Sequence, residues 1–144
     1  MSAAMNILLI EDNPGDCELM QEALSEVAVP HRLEICQDGA AALARLRKRA
    51  DGTPAPRPDL ILLDLNMPRM DGREFLAARK ADPDLLEIPV IVLTTSEADS
   101  DIRSSYRLHA NAFVTKPFDF GDFTETARRI AGFWSEIAIV PTKA

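Results

Sequence analysis

Leu60-Ile61-Leu62-Leu63 is an unbroken apolar run, and Asp64 follows it at once. A run this short and this apolar is the pattern of a strand buried on both faces. Such strands belong to parallel sheets covered by helices on each side. Similar runs stand at Met5–Ile10, 89–93 and 112–114, and 32–36 repeats the pattern with some alternation. Five short strands are therefore predicted.

Helical spacing fills the intervals. Asp12-Asn13-Pro14 offers helix-start chemistry, and Cys17, Met20, Leu24 and Val27 follow at threes and fours until Pro30. Asp38-Gly39 opens a second helix, with Leu43 and Leu46 inward. The turn Met67-Pro68-Arg69-Met70-Asp71-Gly72 leads to a third over 73–81, which Asp82-Pro83 ends. A fourth covers 100–109, with Ile102 and Tyr106 on one side. The last carries Phe120, Phe123, Ala127, Ile130 and Trp134. Strands alternating with helices imply βαβ units and right-handed crossovers. The predicted fold class is α/β, a parallel sheet of five strands with helices on both faces. It forms a single domain over 1–144, with its core at about 5–133. The stretch 51–58, with Gly52 and three prolines, reads as an inserted loop. In the tail, 134–144, the apolar stretch 137–140 either meets a partner or packs back on its own domain.

Composition removes several function classes. The chain is 47% hydrophobic and 27% charged, with net charge -7 and a pI near 4.8. Nucleic-acid binding runs on basic patches, and anionic membranes need polybasic stretches, so neither partner is expected. The basic cluster Arg45, Arg47, Lys48 and Arg49 reads as a solvated helix end. No apolar run approaches a membrane span, and no signal-peptide pattern follows Met1. Cys17 and Cys36 are too few for a disulfide framework and read as small core residues, consistent with a cytoplasmic protein. His31 and His109 have no metal or phosphohistidine pattern.

Chemistry gathers where the apolar runs end. Glu11-Asp12 follows the first run, Asp64 the third, Thr94-Thr95 the fourth and Lys116 the fifth. In open parallel sheets the carboxyl ends of the strands line the ligand crevice, so these groups should converge. Carboxylates crowded together raise one another's pKa, and a hard divalent cation such as Mg²⁺ relieves the conflict. Lys116 adds a positive charge for phosphate oxygens, and Thr94 adds a hydroxyl. A carboxylate at Asp64 can then attack phosphorus to give an aspartyl phosphate. Taken singly, each group has a plainer use. Glu11-Asp12 suits a helix N-terminus, Asp64 and Asn66 suit a turn, and Thr94 suits a local hydroxyl contact.

As an ordered set, these stretches resemble the receiver domain of two-component response regulators. The matching pieces are Ile7-Leu8-Leu9-Ile10-Glu11-Asp12-Asn13, Asp59-Leu60-Ile61-Leu62-Leu63-Asp64-Leu65-Asn66-Met67-Pro68, Asp71-Gly72, Pro89-Val90-Ile91-Val92-Leu93-Thr94 and Lys116-Pro117-Phe118. The resemblance implies a doubly wound (βα)5 sandwich of the flavodoxin-like kind, with parallel strand order 2-1-3-4-5, in which Asp64 takes a phosphoryl group from a histidine kinase. It implies Mg²⁺ held by Glu11, Asp12, Asp64 and the backbone carbonyl of Asn66. Thr94 and Lys116 would contact phosphoryl oxygens, and Phe113 would be the switch aromatic. The family also suggests a cis peptide between Lys116 and Pro117.

A narrower resemblance is to the single-domain regulators that partner cyanobacterial and bacterial phytochromes. It rests on Glu11-Asp12-Asn13-Pro14-Gly15-Asp16, Leu93-Thr94-Thr95-Ser96, Leu108-His109-Ala110-Asn111 and the tail from Phe133-Trp134 to Pro141. It implies a light-sensing kinase and a homodimer built on the 100–109 helix, the fifth strand, the last helix and the tail. Tyr106, Trp134, Ile137 and Ile139 are the interface candidates. Kinase docking is expected on the first helix at Asp16, Leu19, Met20 and Ala23, with the loop after Lys116. The protein is thus expected to be a signalling switch, not a metabolic enzyme, with output through its own surface. The rivals are an aspartyl phosphatase of the haloacid-dehalogenase kind and a receiver-like module that binds without phosphorylation. Such phosphatases typically place a second acid two residues after the nucleophile, where this chain has Asn66.

Overall fold

The computed structural model describes residues 4–47, 52 and 57–141. Its five strands are β1 (Met5–Ile10), β2 (His31–Cys36), β3 (Leu60–Leu63), β4 (Val90–Thr94) and β5 (Ala112–Thr115). All pair in parallel, in the predicted order β2-β1-β3-β4-β5. Ile10 pairs with both Cys36 and Leu63, and Thr94 pairs with Thr115, so the strands end nearly in step.

Six α-helices are described: α1 (Pro14–Ser25), α2 (Gly39–Leu46), α3 (Gly72–Lys80), α4 (Pro83–Leu86), α5 (Asp99–Arg107) and α6 (Phe120–Gly132). A π-helical turn, Phe133–Ile137, extends α6. The sequence predicts five helices; α4 is the addition. Asp82-Pro83 does stop α3, but it also starts a new turn. The Asp82 carboxylate accepts from the Asp84 N–H at 3.0 Å, and Pro83 occupies the first helical position, where no N–H is needed. Side-chain caps fix most other starts. Asn13, Asp38, Asp71 and Asp119 each accept an N–H from the first turn of their helix, and Asp71 forms a capping box with Glu74. Ala98, ahead of α5, has no such bond.

Strand alternation divides the core into two layers. Ile7, Leu9, Leu60, Leu62, Ile91 and Leu93 face α1 and α6, where Met20, Leu24, Phe123 and Ala127 meet them. Leu8, Ile10, Ile61, Leu63, Val90 and Val92 face the other way, onto Leu43, Phe75, Leu76 and Leu85. Both Cys17 and Cys36 are free thiols packed beside these layers, as predicted. In α5 the only buried residue is Ser105, whose hydroxyl donates to the Asp101 carbonyl at 2.7 Å. That helix is held by little apolar contact.

Arg79 is a buried cation that sequence reasoning passes over. Its guanidinium donates to the carbonyls of Leu86, Ile88 and His109 and to Asn111 Oδ1, and burial pulls its pKa down to about 10. Asn111 Oδ1 also accepts from the Val90 N–H at 2.8 Å. The arginine thereby ties α3 and the turn after α4 to the entry of β5. His109, with φ 67°, presents its carbonyl to this network, and His31 Nδ1 sits 2.9 Å from the Val29 carbonyl. Both histidines are structural in these contacts.

One expectation is corrected. The Lys116-Pro117 bond is trans; among the described residues there is no cis peptide. The isomers before proline differ by only about 0.5–1 kcal/mol, so sequence does not fix the choice. In the tail, left open between a partner and its own domain, Ile137 and Ile139 are 71% and 97% exposed while Ala138 and Val140 are half-buried. Trp134 does contact the α1/α6 layer. Most of the 51–58 loop, Lys48 and Arg49 of the basic cluster, and 142–144 lie outside the described residues. No described helix is long and apolar enough to cross a membrane.

Gly72 permits a close approach that the site depends on. A Cβ there would meet the Asp64 carbonyl oxygen at 2.5 Å and Leu65 Cα at 2.8 Å, both backbone. Gly72→Ala should therefore lower stability by about 1–3 kcal/mol in urea unfolding. Gly132→Ala, where a Cβ meets nothing within 4 Å, should be neutral or stabilising by up to ~1 kcal/mol. Equal effects would discount the close approach.

Candidate functional site

Backbone pairing brings the strand-end residues together. The Asp64 N–H donates to the Ile10 carbonyl at 3.0 Å, placing Asp64 beside Glu11 and Asp12. The Lys116 N–H donates to the Thr94 carbonyl at 2.7 Å, fixing the lysine beside the threonine. Glu11, Asp64, Thr94 and Lys116 are all buried, and Asp12 is half-buried.

The side chains complete a cluster. Glu11, Asp12 and Asp64 each offer a carboxylate oxygen, all within 4.8 Å of one another. Lys116 Nζ lies 2.5 Å from Glu11 Oε1, 2.8 Å from Asp16 Oδ2 and 3.6 Å from Asp64 Oδ2. The second Glu11 oxygen accepts from the Asn13 N–H at 3.2 Å. Burial pushes the Glu11 carboxyl up to about 7, against the pull of Lys116. For Lys116, burial opposes the charge, but hydrogen bonds to Asp16 and Glu11 outweigh it and hold the pKa well above its ordinary value. Lys116 stays an ammonium because its Nζ faces three carboxylates.

At the rim, the Asn66 N–H lies 3.5 Å from Asp64 Oδ1. Asn66 is exposed. The Thr94 hydroxyl oxygen is 3.5 Å from the Ser96 N–H. Ser96 Oγ donates to Asp101 Oδ2 at 2.6 Å, and Arg73 pairs with the other Asp101 oxygen. A polar chain thus runs from Thr94 to α5 and α3, a connection that sequence reasoning misses because its members are 21 or more positions from Arg73 along the chain. Phe113 is half-buried against the second layer, and its N–H donates to the Tyr106 hydroxyl at 3.2 Å.

The docking candidates on α1 separate. Met20 and Ala23 are 2% and 0% exposed and face the sheet, so neither can touch a partner. The spacing itself carries that signal: 20, 23, 24 and 27 share one helical face. Leu19 is packed partly against the same layer, and Asp16 is engaged by Lys116. The outer surface of α1 instead presents Glu18, Gln21, Glu22 and Ser25. Phe118, in the loop after Lys116, is 99% exposed.

An aspartate at a strand end, beside two acids and a buried lysine in a five-stranded parallel sheet, defines a protein class. Residues 7–128 match the response regulator receiver domain, and the chain belongs to that family. It is 46% identical over 135 residues to Response regulator Rcp1 of Synechocystis sp., covering 94% of this chain and 92% of that one. The crystal structure of the phosphorylated cyanobacterial phytochrome response regulator RcpA superposes with TM-score 0.90 at 46% identity, covering 97% of this chain and all of that one. The Mn²⁺-bound form of Rcp1 superposes with TM-score 0.86 at 45% identity, covering 96% and 99%. The chain is therefore a phosphoacceptor signalling protein in architecture and in kinship.

The Asp101 contacts set a pH dependence. Hydrogen bonds from Ser96 and Arg73 hold its carboxyl below the ordinary 3.8. The unfolded chain then binds the proton more readily, so this stabilisation is full above the unfolded value and lost as pH falls through the folded one. Asp101→Asn removes it. The stability difference between wild type and variant, from urea titrations, should be steady above roughly pH 5 and shrink towards pH 2. A difference that persists undiminished at low pH would contradict this.

Proposed function

We propose that Asp64 is the phosphoryl acceptor, taking the group from a phosphohistidine of a histidine kinase. The phosphorus–nitrogen bond breaks as the Asp64 oxygen bonds to phosphorus, and the histidine leaves with the released electron pair. The observation that carries this is the Asp64 carboxylate set between two acids and the Lys116 ammonium, 3.6 Å away. Phosphoryl transfer needs mainly positioning and charge neutralisation. Lys116 supplies a fixed cation for phosphoryl oxygens, and Thr94 supplies a hydroxyl.

The donor set fits a hard divalent cation, because its ligands are carboxylate oxygens within 4.8 Å of one another. Glu11, Asp12, Asp64 and the Asn66 carbonyl would hold Mg²⁺. When bound, it offsets the charge of the carboxylates and of the incoming phosphoryl oxygens. The Mn²⁺ found with Rcp1 supports a divalent site.

The added phosphoryl charge, roughly -1.5 to -2 by analogy with phosphomonoesters, would draw Thr94 and Lys116 inward. Thr94 would carry the Ser96–Asp101 contact with it, and Phe113 would follow as the switch aromatic. Helix α5, with only Ser105 buried, is the element that such a pull moves most cheaply. Kinship with Rcp1 and RcpA supports a phytochrome-type kinase as the donor, acting in the cytoplasm, where free thiols such as Cys17 and Cys36 stay reduced. The kinase would meet α1 on its outer surface, together with Phe118. Tyr106, Ile137 and Ile139, all exposed, would form a homodimer face together with Trp134, which is half-buried on the α1/α6 layer.

The phosphatase reading is weaker because Asn66 removes the second acid. Incubation with Mg²⁺ and acetyl phosphate should add one labile phosphoryl group, seen by intact mass and lost in Asp64→Asn. Steady phosphate release from many phosphomonoesters would favour the phosphatase instead, and no labelling at all would favour a module that only binds. Deleting 136–144 should lower the mass in solution measured by light scattering; an unchanged mass would remove the tail from the dimer.

A further inference from the structure

Asp16 stands in the first turn of α1, where the Asn13 side chain fixes its N–H at 3.0 Å. From there its carboxylate reaches Lys116 Nζ at 2.8 Å. The Lys116 side chain is 7% exposed and that of Asp16 is 32% exposed, so one end of this contact is buried. An ammonium has three donors. Glu11 takes one at 2.5 Å and Asp16 takes another at 2.8 Å. Asp64 Oδ2, at 3.6 Å, is in ion-pair range but is not hydrogen-bonded.

A buried donor that loses its acceptor seeks the next one. For Lys116 that is Asp64, within easy reach of a flexible four-carbon stem. We propose that Asp16 is a positioning residue that holds Lys116 off Asp64, leaving the Asp64 oxygens free for a divalent cation and for phosphorus. This rests on Asp64 as the acceptor. Without Asp16, the ammonium hydrogen-bonds Asp64 and competes with Mg²⁺ for the same carboxylate. Competition has a signature that a structural defect lacks: excess Mg²⁺ reverses it.

The test uses the full chain in six forms: wild type, Asp16→Ala, Asp16→Asn and the Lys116→Met version of each. Calorimetry measures Mg²⁺ binding, and intact mass follows labelling by acetyl phosphate across Mg²⁺ concentrations. Asp16→Ala should weaken Mg²⁺ binding several-fold, and Asp16→Asn, which keeps an acceptor oxygen, should weaken it less. Labelling of both should be slow at low Mg²⁺ and return to the wild-type rate at saturation. With Lys116→Met, the Asp16 substitutions should no longer weaken Mg²⁺ binding. An equal weakening in that background would make Asp16 a simple charge contribution and overturn the proposal. So would unchanged or tighter Mg²⁺ binding in both single variants. A wild type that is not labelled on Asp64 would overturn the acceptor assignment itself, and this inference with it.

Discussion

Lys116 is a buried ammonium balanced by carboxylates delivered from β1, α1 and β3. Neither side of that arrangement is tolerable alone. Three acids brought together repel one another, and a buried cation without partners is costly by several kcal/mol. The contact therefore makes the ends of β1, β3 and β5 dependent on one another. It also leaves the site poised, because its negative charge is only partly offset and can accept a further cation.

The sheet supplies the rigidity that this balance requires. Its strands are apolar on both faces in the centre, and each face is filled by side chains from different helices. Gly72 lets α3 begin against the main chain of Asp64, so Asp64 is braced from behind. Arg79 holds the opposite region together through backbone carbonyls. Against this frame, α5 is weakly fastened: it has no side-chain cap and buries only a serine. Its attachments are polar, through Asp101 to Ser96 and Arg73 and through Tyr106 to β5. Polar links of this kind have alternatives that a packed core does not, so α5 is less firmly held than the sheet.

The legible parts of the chain were those governed by local pattern. Apolar runs marked every strand to within a residue or so, and the residues ending them named Glu11, Asp12, Asp64, Thr94 and Lys116 as a set. Pattern was misapplied at Met20 and Ala23, whose helical spacing already places them inward with Leu24. It was ambiguous at Asp82-Pro83, where the residues that end one helix also begin the next. Arg79 gave no sign of burial, because its acceptors are main-chain carbonyls, which every residue carries.

By itself, then, the sequence determined the parallel sheet and the acidic, lysine-bearing rim around Asp64, because periodicity and strand ends are written residue by residue; the strand order came with the family resemblance. Tertiary structure alone decided which carboxylates share Lys116. Asp16 lies 100 positions from its lysine, and no local rule couples them. Their meeting follows from where α1 begins and where β5 ends, and only the packed sheet fixes both. The Asp64 carboxylate is free or engaged according to that meeting.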